Sequence, residues 1–81
     1  MRCLLVYDIV DDRVRGRVAD ACLDYGLQRI QYSAYLGYLS RNHQEELLLR
    51  VRRHLGRTEG HVALFPLCEP DFRCRREVRT P

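Results

Sequence analysis

The chain has 81 residues, of which 46% are hydrophobic and 31% are charged, and its formal net charge is +3. This length predicts one domain over residues 1–81, with a core over about 1–67, and a domain so small buries only about 60% of its unfolded surface. A homodimer that adds apolar burial is therefore expected. No apolar run approaches the ~18–20 residues of a membrane span, and no signal peptide precedes the first strand, so a cytoplasmic location without a membrane partner is expected.

All 14 basic residues are arginine. Arginine favours planar, bidentate contact with phosphate and carboxylate, although a GC-rich genome or adaptation to heat also explains this bias. Under either explanation the surface attracts polyanions. The four cysteines lack Cys-x-x-Cys spacing. We therefore expect Cys3 and Cys22 in the core, and Cys68 and Cys74 to bind a metal only by recruiting His61 or a second chain.

The first predicted strand runs from about Arg2 to Ile9, and Asp8 interrupts its apolar pattern. An ionised carboxylate beside core residues is costly unless a cation meets it. Three interpretations remain open for Asp8: an arginine partner, exposure to solvent at the strand end, or a Mg²⁺ ion, which often takes only one or two protein carboxylates.

Asp11 or Asp12 is predicted to cap a first helix over about 13–25, and Gly26 to end it. Residues 27–40 then form two consecutive strands, or one strand with a bulge at the Ser33–Ala34 step.

Ser40 or Asn42 is expected to open a second helix that ends at Gly56. Its predicted inner stripe is Gln44, Leu47, Leu48, Val51 and Leu55, and its predicted outward cations near the C-terminus are Arg50, Arg52, Arg53 and Arg57.

A fourth strand is expected over 61–67, and it must end at Pro66 or lie at a sheet edge there, because Pro66 donates no ladder hydrogen bond. The tail from Cys68 to Pro81 has too few apolar residues to predict a docking helix. It is expected to supply an edge strand to a neighbouring subunit or to remain disordered. The order of elements predicts a ferredoxin-like α+β fold, βαββαβ, with an extra C-terminal strand.

Four segments in this order resemble a known family. They are Tyr7-Asp8-Ile9 at the end of the first strand, Tyr25-Gly26-Leu27, the run from Arg29 to Gly37, and Phe65-Pro66-Leu67-Cys68. They are similar to the CRISPR-associated protein two family, small endonucleases of CRISPR spacer acquisition and antiviral defence. One departure is Tyr35-Leu36 in place of the Phe-Glu common before the glycine.

The resemblance implies a ferredoxin-like homodimer with facing sheets and a C-terminal strand that crosses to the partner. It implies that Asp8 of each subunit binds Mg²⁺, with Mn²⁺ as an alternative, near the dimer axis. Two carboxylates held close together repel unless a cation or proton joins them. The metal then activates water and stabilises charge on a scissile phosphate.

The resemblance also assigns site roles to other positions: Tyr7, Arg15, Arg17, Arg29, Ser33 and Tyr35. As functional residues, the arginines hold phosphates and Tyr7 or Tyr35 stacks a base or shapes the cleft. Ordinary roles compete: Arg17 pairs with Asp20, Arg29 is solvated, Tyr35 packs on the sheet face, and Ser33 satisfies backbone at the strand break.

Two functions follow from the resemblance. One is a metal-dependent endonuclease that cuts RNA, double-stranded DNA or both. The other is a dimeric scaffold that binds spacer DNA and bridges subunits of the CRISPR integrase. A third interpretation, which the fold alone allows, is a ferredoxin-like ligand-binding or regulatory module without salt-dependent affinity for nucleic acid.

Overall fold

The structure, a computed structural model that describes all 81 residues, contains one four-stranded antiparallel sheet in the order β2-β3-β1-β4. The elements are β1 (Arg2–Ile9), α1 (Asp12–Asp24), β2 (Gln28–Gln31), β3 (Ala34–Tyr38), α2 (Arg41–Leu55), β4 (Gly60–Leu67) and α3 (Glu69–Arg73). This is the predicted ferredoxin-like α+β fold, and of the two alternatives left open at Pro66 the structure shows the edge strand, since β4 is last in the sheet order and continues to Leu67. No helix is long and apolar enough to cross a membrane.

Side chains of the central strand β1 point alternately to the two faces of the sheet, and only one of these faces is buried. Cys3, Leu5, Tyr7 and Ile9 are buried in one cluster with residues of α1 and α2. Cys22 of α1 joins this cluster, so the prediction that Cys3 and Cys22 are core residues is confirmed. Burial raises the pKa of the Cys22 thiol to about 12, which keeps it protonated and unreactive near neutral pH.

The helix ends follow from local chemistry. Asp11 Oδ1 accepts a 2.9 Å hydrogen bond from Val14 N at the start of α1, and Gly26 follows α1 with a φ of 83°. Ser40 caps α2 by accepting from His43 N at 3.1 Å, so the alternative start at Asn42 is wrong. Leu48 is 38% exposed, so its assignment to the inner stripe is also wrong.

The segment from residue 27 to 40 forms two strands joined by a turn at Tyr32 and Ser33. The register irregularity lies in β2 between Arg29 and Gln31, and not at the Ser33–Ala34 step. Gly37 lies within β3, and an added Cβ there would be 2.8 Å from Leu27 Cδ2. Glycine therefore permits the close approach of β3 to Leu27.

The opposite face of the sheet has no helix over its centre. Its apolar side chains are held in register across three strands, with Leu4 opposite Leu36 and Phe65, and Val6 opposite Ala34 and Ala63. None of these six is buried. We call them the outer patch: Leu4, Val6, Ala34, Leu36, Ala63 and Phe65. Phe65 is exposed and the other five are partly exposed, so the outer patch is an apolar surface left uncovered within the chain.

The C-terminal segment corrects the sequence prediction. Residues 69–73 form the short helix α3, residues 75–81 form neither helix nor strand, and the extra C-terminal strand is absent within the subunit. The guanidinium of Arg2 lies 3.8 Å from the Phe72 ring centroid, and its Nε donates to Glu69 at 2.9 Å. These contacts bridge 67 residues of sequence, so apolar content alone did not reveal them. Transfer of the tail to a partner stays a prediction.

Candidate functional site

Asp8 occupies the solvent-facing side of β1, near its C-terminal end. It is exposed and lies on the same face as Leu4 and Val6, at the rim of the outer patch. None of the salt bridges in the molecule involves Asp8. The arginine-partner interpretation is therefore wrong within the subunit, and the carboxylate is solvated and free to bind a cation.

Two open pockets meet at Asp8. On one side it is joined by Val10, Glu59, Gly60 and His61, and on the other by residues of the β1 end and the β2–β3 turn, namely Tyr7, Ile9, Arg15, Tyr32 and Ser33. We call the second the Asp8 pocket. His61 is the register partner of Asp8 across β1 and β4. Only the strand register reveals this neighbour, because His61 belongs to none of the quoted motif segments.

The donor set at Asp8 fits one kind of metal. No group of three or more His, Cys, Asp or Glu side chains in the subunit could hold an ion. Mg²⁺ is commonly bound by one or two carboxylates and retains several waters, whereas structural Zn²⁺ needs four protein ligands. Asp8 of one subunit therefore fits Mg²⁺ as a partial site, and Cys68 and Cys74, both exposed, form no metal site within the chain.

Two tyrosines of the predicted site, Tyr7 and Tyr35, are buried. Tyr7 is 6% and Tyr35 1% exposed, and their rings stack with centroids 6.0 Å apart. Both residues are almost fully buried within the chain and line a pocket, so the geometry favours the cleft-shaping alternative over base stacking, and their role stays a prediction. Burial raises the pKa of the Tyr7 phenol, which keeps it protonated at neutral pH and excludes it as a general base.

These two rings line a pocket between α1 and β2. It has a volume of about 270 Å³ and is open to solvent. We call it the tyrosine pocket, and it is lined by Tyr7, Asp12, Arg15, Gly16, Ala19, Arg29, Tyr32 and Tyr35. Four of the predicted site residues therefore meet around one pocket, while Asp8 and Ser33 meet in the neighbouring Asp8 pocket.

The Arg15 guanidinium is held by intramolecular hydrogen bonds. Its Nη1 donates to Ile9 O at 2.9 Å and Val10 O at 3.3 Å, and its Nη2 pairs with the Asp12 carboxylate. The hydrogen bond to Asp12 raises the pKa of this guanidinium. Arg15 thus holds the end of β1 against α1 and positions the segment that carries Asp8.

Truncation of Arg15 should lower the stability of the fold. Arg15→Ala leaves the Ile9 and Val10 carbonyls without their donor, and we expect the free energy of unfolding to fall by about 1–3 kcal/mol. Arg17→Ala on the same helix should change it by less than about 0.5 kcal/mol. Urea unfolding measures both, and equal effects would show that Arg15 has no bracing role.

Arg17 and Arg29 carry unpaired charge. Arg17 is exposed and forms no salt bridge, so the predicted alternative of a pair with Asp20 is wrong. Arg29 donates to the backbone oxygens of Tyr32 at 3.1 Å and Gln31 at 3.4 Å, with no carboxylate partner. Both guanidiniums can therefore meet a phosphate, but only Arg29 lines the tyrosine pocket.

Ser33 takes part in the pairing at the strand break through its main chain, and a role for its hydroxyl stays a prediction. Its carbonyl accepts a 3.0 Å hydrogen bond from Tyr7 N, which continues the β1–β3 pairing into the turn. Its side chain also lines the Asp8 pocket. Tyr32, the residue before it, was missed by the sequence analysis although it lines both pockets. The signal was an aromatic residue in a turn, three positions after an arginine.

The sequence is similar to one family of known proteins. The family model described as CRISPR associated protein Cas2 matches residues 1–75. A CRISPR-associated endoribonuclease Cas2 from Desulforudis audaxviator is 46% identical over 78 residues, which cover 96% of this chain and 74% of the relative. The relative named CRISPR-associated endoribonuclease Cas2 2 from Chloroflexus aurantiacus is 62% identical over 63 residues, covering 78% of this chain and 71% of the relative.

The fold has a solved counterpart. The crystal structure of Streptococcus pyogenes Cas2 at pH 6.5 superposes with a TM-score of 0.82, covering 98% of this chain and 100% of that chain. The sequence identity is 20%, so this likeness concerns the fold.

Proposed function

This chain belongs to the Cas2 family of CRISPR-associated nucleases, and we propose that it acts as a homodimeric, divalent-metal-dependent endonuclease on RNA. The named relatives are endoribonucleases. Cleavage of double-stranded DNA and a part in spacer acquisition and antiviral defence belong to the same proposal.

The position of Asp8 supports the proposal most strongly. The carboxylate shares one sheet face with the outer patch and has no internal partner. Symmetric dimers use the same surface on both subunits, so pairing of the outer patches brings both Asp8 residues to one interface. The patch supplies the apolar burial that a small domain lacks.

The residues around Asp8 divide the work. Asp8 holds the cation, which when bound activates water and stabilises charge on the phosphate. Arg29 lines the neighbouring tyrosine pocket. It provides a guanidinium without a carboxylate partner, which can bind a phosphate of the RNA strand. Arg15 fixes the end of β1, and Tyr7 and Tyr35 form a rigid floor.

The activity is tested with purified protein and labelled strands. RNA and duplex DNA of one sequence are incubated with Mg²⁺ or Mn²⁺ over a range of pH, with EDTA as the control. We expect RNA cleavage that requires the cation. Cleavage that persists in EDTA would contradict metal dependence.

A second function, that of a scaffold, rests on the arginines. Five of the 14 form salt bridges with carboxylates, namely Arg2, Arg15, Arg50, Arg75 and Arg79. The remaining arginines leave positive charge that favours duplex binding alongside the CRISPR integrase subunit. Duplex binding and spacer uptake that survive Asp8→Ala, with cleavage lost, would assign the biological role to the scaffold.

A further inference from the structure

The β2–β3 turn presents one large aromatic ring to solvent. Tyr32 is 66% exposed, in contrast to the buried Tyr7 and Tyr35 beneath it. The guanidinium of Arg15 lies 5.6 Å and that of Arg29 5.0 Å from the centroid of the Tyr32 ring. Two cation–π contacts therefore hold an exposed ring in a defined place, which no packing requirement explains.

Tyr32 stands where the two pockets adjoin. It lines the tyrosine pocket together with Arg29, and it lines the Asp8 pocket together with Ser33. The ring thus lies between an unpaired guanidinium and the carboxylate proposed to hold the cation. A nucleotide placed against it has a cationic contact on one side and the cleavage site on the other.

We propose that Tyr32 stacks an unpaired nucleobase beside the scissile phosphate and thereby selects single-stranded over duplex substrates; this inference rests on the proposed nuclease function. Stacking on an aromatic side chain tolerates any base, because every base has a π-face. A base inside a duplex is already stacked and must first leave its neighbours, which costs a few kcal/mol. Tyr32 therefore raises the affinity for single strands and not for duplexes.

The two arginines have separate parts in this subsite. The guanidinium of Arg15 is occupied by Asp12 and by the carbonyls of Ile9 and Val10, so Arg15 orients the ring. Arg29 contacts the Tyr32 ring and donates hydrogen bonds only to backbone oxygens, so its charge has no carboxylate partner and is left for the phosphate that follows the stacked base. Specificity thus comes from Tyr32, and electrostatic affinity from Arg29.

Binding without cleavage isolates the stacking role. Fluorescence anisotropy in EDTA compares one labelled RNA strand with its duplex, using wild type, Tyr32→Ala and Tyr32→Phe. Since stacking contributes about 1–3 kcal/mol per base, Tyr32→Ala should weaken single-strand binding roughly 5- to 150-fold. Duplex binding should change less than about twofold, and Tyr32→Phe, which keeps the ring, should match wild type.

Tyr38→Ala is the matched control, because Tyr38 is also an exposed tyrosine under a guanidinium, that of Arg2 at 4.5 Å, at the far end of β3. It should leave single-strand binding unchanged. Unchanged binding by Tyr32→Ala, an equal loss on both substrates, or a Tyr32→Phe as weak as Tyr32→Ala would overturn the inference. The binding assay needs no metal, so any of these three results refutes the stacking role and leaves the nuclease function untouched. The nuclease function is tested separately by the cleavage assays.

Discussion

Asp8→Asn should reduce metal-dependent cleavage by roughly 100-fold or more. A bound cation supplies several kcal/mol of charge stabilisation, and each 1.36 kcal/mol corresponds to a tenfold change in rate. Asparagine keeps the size of the side chain but loses the charge that holds the ion. Initial rates of RNA cleavage, at the Mg²⁺ or Mn²⁺ concentration that just saturates wild type, measure the effect.

The Asp8→Asn substitution should not change the stability of the fold, because Asp8 is exposed and forms no salt bridge. The melting temperature of Asp8→Asn should match that of wild type. Asp20→Asn serves as the control, since Asp20 is an exposed, unpaired carboxylate on α1. It should cleave like wild type, and an Asp8→Asn enzyme with wild-type rates would remove Asp8 from the mechanism.

Phe65→Glu should convert the proposed dimer into a monomer. Phe65 belongs to the outer patch on the edge strand β4, opposite Leu4. A glutamate at position 65 would bury an unpaired negative charge in the dimer interface. Because the interface is two-fold symmetric, it would bury two such charges. We expect the dimer dissociation constant to rise by at least about 100-fold, because an uncompensated charge in an apolar interface costs several kcal/mol. Sedimentation equilibrium measures the association.

Leu49→Glu is a closely matched control. Leu49 and Phe65 are each 49% exposed in the subunit, but Leu49 lies on α2, away from the outer patch. Both variants should fold, and only Phe65→Glu should dissociate. If Phe65→Glu remains a dimer, or if Leu49→Glu dissociates equally, the outer patch is not the interface.

Local patterns predicted the elements that depend on local physics. The alternation of β1 placed its buried residues correctly, and the aspartate and glycine signals located both ends of α1. They also placed Asp8 on a strand end. Leu48 was misplaced because several leucines follow one another in α2, so the apolar pattern does not define a single face.

Features that depend on distant contacts were not predictable. The docking of α3 needs Arg2 from the other end of the chain. The nearness of His61 to Asp8 needs the β1–β4 register. The exposure of Tyr32 depends on where the turn between β2 and β3 falls. Each is set by tertiary packing, which residue types alone do not encode.

The stoichiometry of Mn²⁺ binding tests the central claim most directly. Electron paramagnetic resonance titration should find about one ion per two chains in the wild-type dimer, because no group of three or more ligating side chains forms within one chain and the proposed ion is shared by the two Asp8 residues. The Phe65→Glu monomer should bind Mn²⁺ at least about tenfold more weakly, since it contributes half of the ligands. One ion per chain, bound with the same affinity by dimer and monomer, would contradict a cation shared between the two Asp8 residues.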